Sequence, residues 1–239
     1  MKPDTRRKMI WSVRTLILVI YAILGYMMIQ HLRIGYLVDE AKKKFRENQQ
    51  AEGIRLLERA ESLRPQNEHT AWRICEAYMW IKSPGLGIEP CKRAVSRYPT
   101  EVLWFRLGQE YLDVRDYADA AATFENITPG SNSYWNHTFY VYSLLLSGQY
   151  VKAVPACKEY LKLVEADPTY SKTPEEAEEL LAIAYEGSGH VLESQQIYRK
   201  YGKTTCRLIA GDSGYTTICT PPKPLLRTEP RDLVVSARN

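Results

Sequence analysis

A phrase of thirteen residues occurs twice in the chain, and its two copies lie thirty-four residues apart. The first, GIRLLERAESLRP, ends at Pro65, and the second, GIEPCKRAVSRYP, ends at Pro99. Both have the form Gly-x3-apolar-x2-Ala-x4-Pro. Their small and apolar residues recur at i, i+4 and i+7, which is the spacing of one helix face. A fixed period of this size is typical of proteins built from stacked supersecondary units, so it restricts the fold more than any other feature.

The clearest copy of the repeat lies just after the second phrase. Its defining residues are Trp104, Leu107, Gly108, Tyr111, Ala120 and Phe124. They match the pattern W-x2-L-G-x2-Y…A-x3-F and so resemble the tetratricopeptide repeat (TPR) family, whose unit is a helix-turn-helix. The resemblance implies an all-α fold, a right-handed α-solenoid of about five TPR-like repeats over 34–201. The expected copies are 34–67, 68–100, 101–133, 134–168 and 175–201.

The small and aromatic residues of the pattern are expected to fill the core between neighbouring repeats. A short helix pair cannot bury its apolar faces alone and must stack on its neighbours. The small residues expected at close helix crossings are Ala60, Ala94, Ala120 and Ala153. The aromatic residues expected in the core are Tyr78, Tyr111, Phe124, Tyr185 and Tyr198.

A groove lined by the first helices of the repeats is the expected binding surface. Stacked pairs curve, and residues of the first helices outside the packing stripe face the concave side. The expected partner-binding residues are Trp72, Arg73, Trp80, Phe105, Arg106, Trp135 and Tyr142. Large exposed aromatic side chains indicate an interface. The alternative is that some of them cover the neighbouring repeat or the membrane.

The resemblance does not extend to one known binding device of the family. Members that hold the C-terminal carboxylate of chaperones use a set of Lys and Asn residues on first helices. The corresponding positions here are Val38, Lys42 and Trp72. Arg73 and Arg106 remain candidates for meeting an acidic peptide, although an exposed Arg is usually just solvated.

The N-terminal region predicts a membrane anchor. The stretch TLILVIYAILGYMMIQ, residues 15–30, has no formal charge. Extended back to Met9, it would measure about 33 Å as a helix, enough to cross a bilayer if Arg14 snorkels to its boundary. We therefore expect a basic arm at 1–8 and a transmembrane helix at 9–30. The alternative is a cleaved signal peptide, but no pair of small residues of the A-x-A type follows the apolar run.

The charge distribution favours one orientation and argues against nucleic acid. Residues 1–14 hold five basic residues and one acidic residue, which equals the whole net charge of +4. The short arm is therefore expected in the cytoplasm and the repeat domain on the periplasmic or lumenal side, with the bacterial inner membrane favoured. The rest of the chain has no excess of positive charge with which to hold phosphate backbones.

The segment after Tyr201 no longer has a helical period. In KTTCRLIAGDSGYTTICTPPKP, β-branched residues alternate around GDSG, which predicts a β-hairpin followed by a tail over 202–239. Cys206 and Cys219 would meet at the open end of this hairpin and form a disulfide in an oxidising compartment. Cys75 and Cys91 either pair across the helices of the second copy or remain core thiols.

No pattern of catalytic residues, metal ligands or cofactor-binding residues is found in the sequence, so we expect neither an enzyme nor a small-molecule substrate. An alternative to the disulfide between Cys206 and Cys219 is a metal site that these two cysteines would form with His190. The sequence predicts a single-pass membrane-anchored TPR adaptor for other proteins, assisting assembly or quality control of a membrane or envelope complex. The alternative function is that of a permanent structural subunit of a large membrane protein complex.

Overall fold

The computed structural model describes residues 3–65, 67–81, 83–167, 173–211 and 214–221, with backbone only for residues 3–13. Over these ranges the chain forms ten helices and two strands. They are α1 (Pro3–Arg46), α2 (Gln50–Ser62), α3 (Glu68–Tyr78), α4 (Ile88–Arg97), α5 (Glu101–Asp113), α6 (Tyr117–Phe124), α7 (Tyr134–Leu146), α8 (Tyr150–Ala166), α9 (Pro174–Gly187), α10 (Val191–Lys200), β1 (Thr205–Gly211) and β2 (Gly214–Thr220). The chain is thus mostly helical, as the repeat predicts.

The chain divides into two compact units, Met1–Ser147 and Gly148–Asn239. In the first unit, α1 packs on α2, α3 on α4, and α5 on α6. These are the helix pairs predicted for the first three copies of the repeat. Helix α7 packs on α6 in the same unit.

Helix α1 joins the predicted span and the first repeat helix without a break. It runs from Pro3 to Arg46, whereas the sequence suggested a boundary between residues 30 and 34. Its segment Arg14–Arg46 is long and apolar enough to cross a membrane. The residues of its C-terminal part that are buried against α2 and α3 are Ile34, Leu37, Val38, Ala41 and Phe45.

Most of the predicted core positions are buried. Ala60, Ala120 and Ala153 are fully enclosed, and the side chains of Tyr78, Tyr111, Phe124 and Tyr198 are buried. Two positions differ from the expectation. Ala94 is only partly buried, and Tyr185 is partly exposed, with the Lys158 ammonium 5.6 Å from its ring centroid. A cation over the ring face allows this tyrosine to remain at the surface.

The turns inside the repeats use left-handed backbone conformations. The first helix of each predicted copy is followed by a residue with positive φ, and these residues are Asn48, Gly85, Arg115, Gly148 and Gly189. Where this residue lies two positions after the helix, as at Asn48, Arg115, Gly148 and Gly189, it lets the chain reverse while the last carbonyls of the helix stay bonded. Gly85 lies seven residues after the end of α3. Glycine adopts this conformation without strain, as at Gly148, whereas a side chain at Arg115 disfavours it.

The second unit contains α8, α9, α10 and the hairpin. Helix α9 packs on both α8 and α10, and β1 packs on α9. The two strands are antiparallel, with Cys206 opposite Cys219, so the predicted hairpin is confirmed. Lys203 forms ion pairs with Glu179 and, at 2.8 Å, with Glu175. These pairs attach the start of the hairpin to α9.

Candidate partner-binding face

One carboxylate links the first helices of three consecutive repeats. Glu76, on α3, accepts a hydrogen bond of 2.6 Å from the Lys42 ammonium on α1. Its other oxygen lies 3.9 Å from the guanidinium of Arg106 on α5. Arg106 also donates to Gln109 Oε1 at 2.8 Å. The side chains of α1, α3 and α5 therefore form one polar network that connects the three first helices.

Trp80 lies beside this network and is exposed to solvent. Its side chain keeps 46% of its accessible area. The Lys42 ammonium and the Arg46 guanidinium each lie 5.9 Å from its ring centroid. Both distances are within the range of a cation–π interaction, so α1 holds the ring in place without burying it. We call Lys42, Arg46, Glu76, Trp80 and Arg106 the Trp80 face.

The Trp80 face carries an excess of positive charge. Its three basic residues are opposed by a single carboxylate, Glu76. The neighbouring Arg73 does not add to the excess, because its guanidinium forms an ion pair with Asp39. An exposed aromatic ring between partly balanced cations is suited to a partner that offers both an apolar side chain and a carboxylate.

Two further predicted residues belong to an aromatic cluster. The ring centroid of Phe105 lies 5.9 Å from that of Phe124 and 5.6 Å from that of Phe139. Trp135 stacks on Phe139 at 6.1 Å and remains 55% exposed. Phe105 is therefore mainly a packing residue between repeats, whereas Trp135 presents a free ring surface.

Trp72 lies near the beginning of α3, away from Trp80. Its ring centroid is 5.6 Å from that of His69. Within the described part of the chain, its buried Nε1 has no hydrogen-bond partner. Trp72, His69, Glu68 and Val102 line a cavity of about 370 Å³. The ring thus lines a hollow between α3 and α5.

Tyr142 is not part of an exposed face, contrary to the sequence-based expectation. Only 6% of its area is accessible. Its neighbours Val141, Leu144 and Leu145 are buried as well, so α7 is enclosed around more of its circumference than α3. On a helix that packs on one side only, this position would face the groove. On α7, which is enclosed on more sides, the same position lies in the core.

The residues of the Trp80 face that were not among the expected partner-binding residues are Lys42, Arg46 and Glu76. A signal for this network was available, because Lys42 and Glu76 lie one repeat period apart. Asp39 and Arg73 have the same spacing. Opposite charges at equivalent positions of adjacent repeats predict contact between neighbouring first helices.

Glu110, in the last turn of α5, is a buried acid whose carboxylate faces the start of α4. It is 3% exposed, and a side chain on Gly87 would collide with its carboxylate. Burial and the nearby charge of Asp113 raise the pKa of Glu110 from 4.5 to about 7, although a hydrogen bond from the Gly87 backbone opposes the shift. The carboxyl is therefore close to half-protonated at neutral pH.

The cysteines form two disulfides, Cys75–Cys91 and Cys206–Cys219, and leave Cys157 as a buried thiol. A carboxylate oxygen of Glu179 lies within 4.8 Å of both sulfurs of the hairpin bridge. Sulfurs bonded to each other offer no thiolates for a metal. The third predicted ligand, His190, is not in this group, and its Nδ1 lies 3.0 Å from Ser188 Oγ.

The fold is similar to that of MamA, a TPR-like all-helical protein. A crystal structure of MamA matches 70% of this chain and 89% of its own length, with a TM-score of 0.55 and 19% sequence identity. A structure of MamA AMB-1 matches 71% of this chain and 90% of its own, with a TM-score of 0.53 and 19% identity. The chain has a TPR-type helical fold. No protein-family model matches the sequence, and no curated protein does either.

Proposed function

We propose that this protein is a membrane-anchored TPR adaptor that binds protein partners through the Trp80 face. The observation that carries the proposal is the exposed Trp80 ring held between Lys42 and Arg46. Binding energy at protein interfaces is concentrated in a few aromatic and arginine side chains, and this face offers both. The proposal assigns no catalytic role to the chain.

The partner is proposed to be a protein segment with an acidic residue next to an apolar one. Its carboxylate would pair with Arg46 or Arg106, and its apolar side chain would cover the Trp80 ring. Attraction to the cations would raise the association rate and would weaken at high salt. Anchoring in the membrane would keep the adaptor near membrane clients, as expected for assembly or quality control of a membrane or envelope complex.

Anchoring by α1 is supported by the exposure of its apolar N-terminal segment, and the inside location of the basic arm follows from the positive-inside rule. A reporter that works only outside the cytoplasm, fused after Asn239, should be active. Activity of a cytoplasmic reporter instead would overturn the orientation.

Sequencing the N-terminus of the membrane-bound protein tests the alternative of a cleaved signal peptide, because cleavage would remove the span. The right-handed solenoid and the domain boundaries stay predictions.

The binding proposal is tested by purifying the full chain in mild detergent and identifying the proteins that accompany it. Trp80→Ala should reduce the recovered partner at least about tenfold, equivalent to about 1.4 kcal/mol. Leu192→Ala, which removes an exposed apolar side chain of the second unit, is the matched control and should leave recovery unchanged. Equal recovery with Trp80→Ala would refute the Trp80 face. A fixed set of proteins in constant ratio would favour the permanent structural subunit over the adaptor.

A further inference from the structure

The first turns of α3, α5 and α7 lie in a row that begins beside α1 where its apolar segment ends. His31 Nδ1 on α1 is 2.9 Å from the hydroxyl of Thr70 in the first turn of α3. Thr70 is in turn held by Asn67, the N-cap of that helix, whose side chain accepts from the Thr70 backbone N–H at 2.9 Å. The start of α3 is therefore fixed at the level of residue 31, just past the predicted span.

The same row continues through α5 to α7. His69 and Trp72 of α3 line one cavity together with Val102 of α5. Asn136 of α7 donates a hydrogen bond of 2.6 Å to Glu101 of α5. Each first turn thus contacts the next one, and the row begins at His31 of α1.

This row presents apolar side chains to solvent. Val102 is 46% exposed and Trp135 is 55% exposed. Tyr134 and Phe139 support the Trp135 ring, with centroids 5.3 Å and 6.1 Å away. On α1, Leu32 and Tyr36 are exposed at the neighbouring level. We call His69, Trp72, Val102 and Trp135 the first-turn edge.

We propose that the first-turn edge rests in the headgroup region of the bilayer that α1 crosses. The inference rests on the proposed membrane anchor. Because α1 continues from the span into the repeat domain without a break, no linker can move the edge away from the lipid surface. Tryptophan is enriched at membrane interfaces, where its ring is apolar and its N–H reaches polar groups. A protein partner would instead have to enter the gap between this edge and the bilayer.

The proposed position at the bilayer divides the tryptophans that the sequence analysis assigned to a single groove into two surfaces. Trp80 follows Tyr78, the last residue of α3, and Tyr78 lies eight residues beyond Thr70, which is about 12 Å further along the helix. Trp135 and Trp72 are thereby assigned to the lipid side, while Trp80 stays in the aqueous phase for protein partners.

Quenching of tryptophan fluorescence by brominated lipid tests the inference. The full chain, carrying Trp11→Phe to remove the tryptophan of the span region, is reconstituted in phosphatidylcholine vesicles brominated near the top of the acyl chains. Adding Trp135→Phe should remove a large share of the quenched emission, whereas adding Trp80→Phe should leave the quenched emission unchanged. Circular dichroism checks that each variant remains folded.

Two results distinguish failure of this inference from failure of the anchor. If the protein does not float with vesicles after extraction with alkaline carbonate, the proposed anchor is wrong and the edge proposal fails with it. If it floats but Trp135→Phe leaves the quenching unchanged, the anchor stands and the edge does not touch lipid. Equal losses for Trp135→Phe and Trp80→Phe would also overturn the inference.

Discussion

The ammonium of Lys42 lies 2.6 Å from the carboxylate of Glu76, one full repeat further along the chain. Asp39 and Arg73 pair across the same sequence separation. Because equivalent positions of adjacent repeats lie side by side, opposite charges at these positions connect the first helices. Both pairs lie on the part of α1 that follows the proposed span, so they hold α3 directly against the helix that carries the anchor.

Removing the charge of Glu76 should weaken this connection. Glu76→Gln leaves Lys42 and Arg106 close together without a counter-charge, and the free energy of unfolding should fall by about 1 kcal/mol. Urea unfolding of the detergent-solubilised chain measures the change. Glu89→Gln is the control, because Glu89 pairs with Lys92 at a more exposed site and should have a smaller effect. Similar losses for both variants would contradict a role for Glu76 as a link between repeats.

The buried acid Glu110 should make stability depend on pH. Its pKa is raised from 4.5 to about 7 in the folded protein, so the folded state holds this proton more tightly than the unfolded chain. Its contribution to stability is therefore fully present below pH 4.5 and is lost as the pH rises through about 7. Glu110→Gln, which is neutral at every pH, should remove this loss and be more stable than the wild type by about 1 to 3 kcal/mol at pH 8.

Unfolding curves of Glu110→Gln and the wild type at about pH 5 and about pH 8 provide the measurement. The two proteins should differ less at the lower pH. Asp113→Asn offers a second check, because the Asp113 charge contributes to the shift at Glu110 and its removal should reduce the dependence on pH. A constant difference between Glu110→Gln and the wild type at both pH values would show that Glu110 does not titrate as inferred.

Two aromatic residues predicted for the same groove should respond differently to truncation. Tyr142→Ala opens a cavity in the core, because the ring is 6% exposed, and should lower the free energy of unfolding by about 3 kcal/mol or more. Trp80→Ala removes an exposed ring and should have little effect on stability. Thermal unfolding of both variants tests the assignment. Equal losses would mean that Trp80 is a packing residue and not part of a binding surface.

The repeat made the helical pairs predictable, because its small and aromatic residues identify positions such as Ala120 and Phe124 that must be buried. The exposure of first-helix residues was harder to predict. The repeat pattern shows which residues pack within a pair, but it does not show how much of each helix the rest of the fold covers, so the burial of Tyr142 was not predicted. The continuity of α1 could not be predicted either, because a helical period is equally compatible with one long helix and with two helices separated at residues 31–33.

The two disulfides predict the number of reactive thiols in the protein isolated from membranes. The chain has five cysteines, of which only Cys157 is a free thiol in the structure. Denaturation without reductant should therefore expose one group to alkylation, and denaturation with reductant should expose all five, as counted by mass spectrometry. The native protein should not be labelled, because Cys157 is buried and its raised pKa disfavours the thiolate. Five labels without reductant would place the domain in a reducing compartment and contradict the proposed orientation.

Two alanines of helix α6 differ in burial and should respond differently to a larger side chain. Ala120 is fully enclosed, whereas Ala118 is exposed. Ala120→Leu should force the side chains at the crossing of α5 and α6 apart and lower the free energy of unfolding by about 1 to 3 kcal/mol. Ala118→Leu adds the same atoms on the solvent side and should change it by less than about 0.5 kcal/mol. Urea unfolding of both variants measures the two changes in the free energy of unfolding. Equal changes would show that α6 does not pack with the face that the repeat assigns to it.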